Sequence, residues 1–389
     1  MSRTSSITSL KSASPESVRA STCRSLHKRS VAGFSLIEMM IAMVIGALVV
    51  AGLINLFIAN RKAYQIQSGN NFLQENLRIA SDRIGWSLRM ADFWGGNNAA
   101  DVQAGSAGTA ISGKGTCNGS WATAINPALT DGGGVFGYVG SDSFPLGAAC
   151  VGGNANYVKG SDALVLRYAE PTVLAPGPTP AVSSTIAKNA KEIFLLSTPG
   201  TSAQLFSGST VPTNDTDTVR SYAYPYQVDM YYLRPCSVIG SGSTCSAKDD
   251  GGMPLPTLIR MHLQSDGSFV SEAVVDGIEQ LKFEYGVASD MTNVVPTYMR
   301  ADAMSSSQWA NVVSVRVSLV AVSPVRDFVM PHTGTYTLGI LDGACKYVIS
   351  SGKTDVSTCK NFTPYGDKPW QFTRVRQQFV VQLRNRTRG

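Results

Sequence analysis

One short segment near the amino end combines a glycine, whose backbone can be approached closely, with a carboxylate that lies in an apolar run. Gly33 is followed by residues 34–37 and then by Glu38, the one charged residue among the 26 from Phe34 to Ala59. A carboxylate in an apolar membrane segment costs on the order of 3 kcal/mol, so it requires a reason. Two explanations follow from position alone: the residue lies at the level of the lipid headgroups, or it lies near a helix amino terminus, where the dipole tolerates an anion.

Seven cysteines define a second kind of chemistry. Cys23 precedes the apolar run and six cysteines follow it. An even number outside the cytoplasm favours disulfides, and no C-x-x-C pair suggests a zinc or redox site. Six cysteines can pair in many ways; sequential pairing is the simplest, and buried thiols are the alternative. The sequential pairs are Cys117 with Cys150, Cys236 with Cys245, and Cys345 with Cys359.

Groups for catalysis or metal binding are sparse. Beyond residue 33 the chain has two histidines, His262 and His332, and neither lies in an H-x-x-x-H pattern or a nucleophile elbow. The segments 249–252 (Asp-Asp-Gly-Gly) and 266–267 (Asp-Gly) lack the ligand spacing of a calcium loop and are typical of turns. We therefore expect no enzyme activity, no cofactor and no metal. A membrane-tethered periplasmic enzyme is the weakest alternative.

The positive charge is concentrated at the amino end. Of a formal net charge of +6, the first 33 residues contribute +5, because six basic residues are opposed by Glu16 alone. The remainder gives no general case for nucleic-acid binding. Two arginines that lie two apart on a predicted strand, Arg374 and Arg376, leave two interpretations: a DNA-binding surface, or a charged edge strand that blocks aggregation. The edge strand is favoured. The arginines near the carboxyl end are Arg374, Arg376, Arg384, Arg386 and Arg388.

A long helix must position the amino-terminal residues. The 26 residues from Phe34 to Ala59 exceed the ~20 that cross a bilayer, and they are too long for a secretory signal. The basic excess before them places the amino end in the cytoplasm and the rest outside. From Tyr64 to Leu88 apolar residues recur mostly every three or four positions, which continues the helix. We predict one helix from Phe34 to Ala91, ended by residues 94–96 (Trp-Gly-Gly).

Beyond the helix the sequence predicts an antiparallel sheet. Residues 97–160 are dominated by Gly, Ala, Ser and Asn, which is typical of a long loop region. Alternation of apolar and polar residues is clearest from Val313 to Leu319, as expected for a sheet with one face on the helix. The predicted strands are Ala163–Tyr168, Ile193–Ser197, Tyr226–Arg234, Leu258–Leu263, Gln280–Tyr285, Val312–Val322 and Phe372–Leu383.

Two groups of residues resemble a known family. Gly33 to Glu38 resembles the processing signal of type IV prepilins and of type II secretion pseudopilins, although the leader of 33 residues is longer than is common there. Patches in the head, taken in their order, resemble PilW-type minor pilins. These patches are Asp162–Tyr168, Asp276–Gly286, Trp309 with Val312–Leu319, and Arg374–Arg386, which ends in Leu-Arg-Asn-Arg.

The resemblance implies a processing pathway and a set of partners. A prepilin peptidase would cut between Gly33 and Phe34, Phe34 would be N-methylated, and Glu38 would neutralise the terminal ammonium of a neighbouring subunit. Expected partners are the peptidase, other minor pilins, the major pilin, the inner membrane and a tip adhesin; nucleic acid is not expected. The implied function is initiation or tip assembly of a type IV pilus, with adhesion, twitching motility or uptake downstream. A type II secretion pseudopilin is the alternative.

These inferences together define the expected architecture. The fold class is α+β, a type IV pilin-like fold with a long amino-terminal helix packed on an antiparallel β-sheet head with long loops. We expect a removable leader (residues 1–33), a helix (34–92) that spans the membrane to about residue 59, and a periplasmic head (93–389). The chain would first be a single-pass inner-membrane protein with its amino end in the cytoplasm, and then part of the pilus, at its tip.

Overall fold

The protein is described from a computed structural model. The described residues are 33–105, 121–129, 131–176, 186, 190–212, 221–288, 296–328, 330–356, 358–359 and 361–386. The chain divides into two compact units, Met1–Arg61 and Lys62–Gly389, and each is considered by itself. The predicted leader lies outside the described residues except for Gly33.

The first element is one uninterrupted helix, α1, from Leu36 to Met90. It differs from the predicted helix by two residues at its start and one at its end. Every residue from Gly33 to Arg61 is exposed. This first part of α1 is long and apolar enough to cross a membrane.

Within the second unit, α1 buries one stripe of its surface. The buried positions recur every three or four residues, as an amphipathic helix on a core requires. They are Gly69, Leu73, Asn76, Leu77, Ala80, Ile84, Gly85, Ser87 and Leu88. A short second helix, α2, covers Ser306–Ala310 and carries the buried Trp309.

Sixteen strands are present among the described residues. They are β1 Val102–Gln103, β2 Val135–Tyr138, β3 Ala163–Ala169, β4 Ala175–Pro176, β5 Ile193–Thr198, β6 Ser202–Ser207, β7 Tyr222–Arg234, β8 Thr257–Leu263, β9 Phe269–Asp276, β10 Ile278–Val287, β11 Thr297–Met299, β12 Val312–Arg326, β13 Gly334–Leu338, β14 Cys345–Ser350, β15 Lys353–Val356 and β16 Phe372–Gln382. All seven predicted strands are among them, with bounds shifted by up to four residues.

The strands form three sheets. A nine-stranded sheet has the order β1-β6-β5-β7-β3-β2, and the long β7 also pairs with β4 and β8, which in turn pairs with β9. A four-stranded sheet has the order β11-β10-β12-β16, and a three-stranded sheet the order β13-β14-β15. Apart from the parallel β1–β6 pair, the pairings are antiparallel.

The two central strands of the four-stranded sheet, β10 and β12, are buried on both faces. Phe283 and Val317 lie opposite each other on β10 and β12 and share one hydrophobic cluster with Leu77 of α1. On the other face, Val320 packs with Tyr347 of the three-stranded sheet. The sequence predicted the helix-facing side of β12 but left its polar positions outside the core. In the fold the three-stranded sheet covers that side.

Candidate processing site and buried ion pairs of the head

The predicted processing residues lie at the start of α1. Ser35 is the residue before the helix, and its carbonyl accepts a hydrogen bond from the Met39 N–H at 3.1 Å. The Ser35 N–H donates to Glu38 Oε2 at 3.3 Å. This is one half of a capping box, with the acidic side chain at the third helical position, where the helix dipole favours an anion. Within a single chain, the carboxylate therefore lies at the amino terminus of a helix, which is one of the two explanations left open by its position in the sequence.

The described residues of this chain do not require glycine at position 33. A Cβ built at Gly33 meets nothing within 4 Å. The following residue, Phe34, is 88% exposed, so the peptide bond between them is accessible. Any demand for glycine here must come from a binding partner that approaches the backbone. Cleavage at this bond and methylation of Phe34 remain predictions.

The other end of α1 is closed by Asp92. This residue adopts a left-handed backbone conformation with φ of 65°, which turns the chain away from the helix axis. Its Oδ1 accepts hydrogen bonds from Trp94 Nε1 at 2.9 Å and from the Gly134 N–H at 3.2 Å. Its Oδ2 accepts one from Arg386 Nε. Asp92 therefore already ends the helix, two residues before the segment 94–96 that was predicted to end it.

The carboxyl-terminal Leu-Arg-Asn-Arg motif completes this closure. Asn385 Nδ2 donates to the carbonyls of Ala91 at 2.9 Å and Met90 at 3.2 Å, which otherwise lack helical partners. Arg386 pairs with Asp92, and its Nη1 donates to the Trp309 and Val312 carbonyls. The motif therefore fastens the end of the chain to the end of α1.

Loss of the Arg386 guanidinium should destabilise the head strongly. Arg386→Ala leaves the buried Asp92 carboxylate without its cationic partner, which typically costs about 3–5 kcal/mol in the free energy of unfolding. Urea unfolding of the detergent-solubilised chain, followed by tryptophan fluorescence, measures this. Arg376→Ala is the matched control, because its side chain is exposed; it should change stability by less than about 0.5 kcal/mol. Equal effects of the two variants would contradict the assignment.

A second buried ion pair joins the four-stranded sheet to the segments that cover it. Arg374 Nε and Nη2 donate to the two carboxylate oxygens of Glu279 at 2.7 and 2.8 Å. Glu279 also accepts bonds from Tyr347 OH at 2.9 Å and the Tyr365 N–H at 2.6 Å. Burial opposes the charge of Arg374, but the Glu279 carboxylate raises its pKa above the ordinary value.

The burial of Arg374 corrects the arginine cluster considered from the sequence. Arg374 and Arg386 are buried, whereas Arg376 is exposed on β16. β16 lies at the edge of its sheet, as the favoured interpretation required. A DNA-binding surface that includes Arg374 and Arg386 is wrong, because both guanidinium groups pair with carboxylates inside the head. Arg388 lies outside the described residues.

A third polar network, which the sequence analysis missed, joins α1 to the large sheet. The Ser87 hydroxyl donates to the buried Asp229 carboxylate at 3.0 Å and contacts Tyr231 OH at 2.7 Å. Asp229 also accepts bonds from Tyr168 OH at 3.1 Å and from Arg260, whose Nη2 lies 2.7 Å away. Burial and then the Asp229 charge raise the pKa of Tyr168 above its ordinary range. In the sequence, the one indication of this network was Ser87, a polar residue within the apolar stripe of α1.

The cysteines form disulfides where both partners are described. Cys236 is bonded to Cys245 and Cys345 to Cys359, which are two of the sequential pairs. Cys150 is also disulfide-bonded, and Cys117 lies outside the described residues. Cys236, Cys245 and Asp249 come within 4.8 Å of one another. Because the two sulfurs are bonded to each other, this group does not offer free thiolates to a metal.

The two acidic turn segments are built as turns. Asp249 Oδ2 accepts the Ser246 N–H at 2.7 Å, and Asp250 accepts N–H groups of Ser237 at 2.8 Å and Leu255 at 2.9 Å. Burial opposes ionisation of Asp250, but these bonds hold its pKa below the ordinary value. Asp266 lies in the hairpin turn between β8 and β9. The carboxylates at 249 and 250 thus serve local backbone groups.

The two histidines lie on separate elements. His262 is on β8 beside Gln264, and burial followed by the charge of Arg260 lowers its pKa. His332 lies after β12 and its Nε2 is 3.3 Å from Asp327 Oδ2. Among the described residues, the Thr373 hydroxyl, 3.3 Å from His332 Nε2, is the one hydroxyl within hydrogen-bond distance of either histidine.

Comparison with known proteins gives matches at both ends of the chain. Residues 244–385 match the family model described as type IV pilus-assembly protein W. Residues 28–54 match the prokaryotic N-terminal methylation motif. No curated protein sequence matches the chain. Among solved structures it is similar to a type IV-like pilin from Thermus thermophilus, with 12% identity and a TM-score of 0.29 over 81% of this chain and 97% of that one, a likeness too low to carry an argument.

Proposed function

We propose that this chain, a type IV pilin of the PilW type by its two family matches, is a minor pilin that starts or caps a type IV pilus. The observation that carries the proposal is the presence of both matches on one chain. The methylation motif covers residues 28–54 and the assembly-protein match covers residues 244–385. The first supports entry into a pilus, and the second favours a minor subunit over the main fibre protein.

The proposed pathway begins in the inner membrane. The apolar part of α1 anchors the chain, with the amino end in the cytoplasm and the head in the periplasm. Prepilin peptidase removes residues 1–33 by cutting between Gly33 and Phe34, and Phe34 is N-methylated. The mature subunit then joins other minor pilins and the major pilin, beneath a tip adhesin. The accessible bond after Gly33 supports this order of events.

Glu38 can serve both its own helix and a neighbour. The Ser35 N–H occupies Oε2, and a carboxylate accepts several hydrogen bonds, so capping leaves acceptor capacity. Cleavage creates a terminal ammonium at Phe34 of each subunit. At ~4 Å and an effective dielectric of about 20, its attraction to Glu38 of a neighbour is about 4 kcal/mol before desolvation. An ion pair of this size sets the register between subunits.

Two substitutions at Glu38 separate the ion pair from the helix cap. Glu38→Gln keeps acceptor oxygen for the Ser35 N–H but removes the charge, whereas Glu38→Ala removes both. We expect both variants to be cleaved and both to be strongly depleted from sheared pili. Mass spectrometry of the membrane fraction and immunoblots of the fibres measure the two steps. Glu75→Ala is the control, since that carboxylate is exposed on the same helix.

The two Glu38 variants distinguish a role of the carboxylate as a helix cap from a role of its charge in assembly. Normal fibre entry of Glu38→Gln with failure of Glu38→Ala would show that the carboxylate acts as a cap and not as a charge. Normal entry of both would refute its role in assembly. In wild-type fibres the chain should be present at far fewer copies than the major pilin; equal copy numbers would contradict a minor subunit.

A type II secretion pseudopilin remains the alternative, because it shares the processing signal and the helix. Deleting the gene distinguishes the two. We expect loss of surface pili with secretion intact. Loss of secretion with normal pili would favour the alternative.

A further inference from the structure

The end of the head where α1 enters it carries two loops of unusual surface composition. On α1, a Cβ at Gly69 would lie 3.0 Å from Ser323 Oγ, and Phe72 lies 2.9 Å from the Cβ position of Gly277. Residues 236–255 adjoin this end, as do residues 325–328 with 330–332, which begin with the last two residues of β12. We call these two segments the basal loops. Val238 of the first loop shares a cleft of about 370 Å³ with Phe72. The second loop begins two residues after Ser323.

The basal loops expose large apolar side chains to solvent. Phe328 is 76% exposed, Val238 66% and Met330 60%, and Val325 and Met253 are exposed by more than a third. Among the described large apolar side chains of the second unit, Phe328 is the most exposed, followed by Tyr64 of α1 and then by Val238. Phe328 and Met330 lie two positions apart in the sequence, so the second loop presents two large apolar side chains together, and this concentration indicates an interaction surface.

Both loops are held in place by polar contacts to the scaffold. In the first loop, Asp250 accepts backbone N–H groups from Ser237 and Val238, next to the Cys236–Cys245 disulfide. In the second, the Asp327 N–H donates to the Gln371 carbonyl at 2.8 Å, and the His332 N–H to the Trp370 carbonyl at 2.7 Å. These contacts fix the backbone next to the exposed side chains of Val238 and Phe328.

The segment that links the apolar run to the head limits what can cover this surface. The apolar run ends at Ala59 and the first buried residue of α1 is Gly69, which leaves ten residues from 60 to 69. Even fully extended, ten residues span at most about 33–36 Å, and as a helix they span about 15 Å. The linking segment is therefore short enough for the basal loops to reach the lipid headgroups while α1 is anchored.

The charges of the basal loops do not favour electrostatic binding to a lipid surface, so a lipid contact would form by apolar insertion. Arg326 pairs with Asp367, and His332 Nε2 lies 3.3 Å from Asp327. No cluster of lysine or arginine side chains lies on the described part of these loops, so attraction to anionic headgroups would be weak. Phenylalanine and methionine at a membrane interface act through burial of apolar area instead.

We propose that the basal loops bind the outer surface of the inner membrane, with Phe328 and Met330 inserted among the lipid headgroups while the subunit awaits assembly. The inference rests on the membrane anchoring in the proposed function. It adds a second membrane contact that limits the orientations of the head before the subunit enters the fibre. Extraction of the subunit into the pilus would release this contact.

Photocrosslinking in defined vesicles tests the proposal. The full chain carries p-benzoylphenylalanine at position 328, 330, 340 or 45 and is reconstituted alone in phosphatidylcholine vesicles. Position 45 lies in the apolar run and reports anchoring. Position 340 is the matched control, because Ile340 is 62% exposed but lies beside Glu284, away from the basal loops. Mass spectrometry identifies lipid adducts after irradiation.

We expect lipid adducts at 45, 328 and 330, and several-fold fewer at 340. The yield at 328 should be unchanged by high salt, because insertion is apolar. Adducts at 45 with equal yields at 328 and 340 would overturn the lipid contact while leaving the anchoring intact. Absence of adducts at 45 would overturn the anchoring itself. A crosslink from 328 to a second protein chain in place of lipid would show a pilin-binding surface and refute the proposal.

Discussion

Replacement of Gly33 by leucine is expected to leave an uncleaved precursor in the inner membrane and no protein in the fibre. The physical reason is steric: a peptidase must bring its catalytic groups to the carbonyl of residue 33, and a side chain there holds the backbone away. A misplacement of about 1 Å is sufficient to slow an enzymatic step on the order of 100-fold. Because a Cβ at this position meets nothing in the chain, the substitution does not disturb the subunit.

Gly46 is the matched control for this prediction. It is also exposed, and a Cβ there meets nothing within 4 Å, but it lies within α1. Gly46→Leu should therefore be cleaved at the normal rate. Intact-mass measurement of each variant separates the precursor from a mature chain that begins at Phe34. A Gly33→Leu chain with the mature mass would refute the assigned cleavage site.

Removal of either partner of the Glu279–Arg374 pair should strongly destabilise the head. Both side chains are essentially inaccessible to solvent, at 1% and 0% exposure. Arg374→Ala leaves a buried carboxylate without its cation, which typically costs about 3–5 kcal/mol. The same change also frees the Tyr365 and Phe372 carbonyls that Arg374 serves. We expect the free energy of unfolding in urea to fall by that amount.

A double variant tests whether the ion pair itself stabilises the head, or whether destabilisation comes only from leaving one buried charge without its partner. Glu279→Leu combined with Arg374→Leu removes both charges, so it should lose less stability than Arg374→Ala alone. Arg78→Ala is the surface control, because its ion pairs with Glu75 and Asp82 are exposed, and no measurable change is expected. A loss in the double variant equal to or greater than in Arg374→Ala would show that the pair is itself stabilising.

Local patterns were sufficient for the main elements of the fold. The apolar run and the three-to-four spacing after it predicted α1 to within two residues, because helix periodicity is a property of neighbouring positions. The seven predicted strands are rich in apolar and β-branched residues, which is why they were found. Of the strands that were missed, β13 and β15 are short, and most of β9 is exposed to solvent, so the sequence carries little signal for them.

The processing segment and the buried polar groups differ in how far sequence can describe them. Gly33 to Glu38 is a local motif, and its residues need only the helix that they start. Arg374 and Arg386 find their partners Glu279 and Asp92 at separations of 95 and 294 residues. Sequence spacing carries no information on such contacts, so both arginines resembled surface charges. Only the packed sheets show that they are internal.

The sequence alone therefore determined the amino-terminal processing signal, the apolar span, the helix and the principal strands, because each depends on residues close together in the chain. Tertiary structure decided which charges are buried, that both faces of β12 are covered, and that the carboxyl-terminal Leu-Arg-Asn-Arg motif closes the end of α1. Those features depend on burial in a shared low-dielectric interior, where a charge is tolerated only with a partner that the fold brings to it.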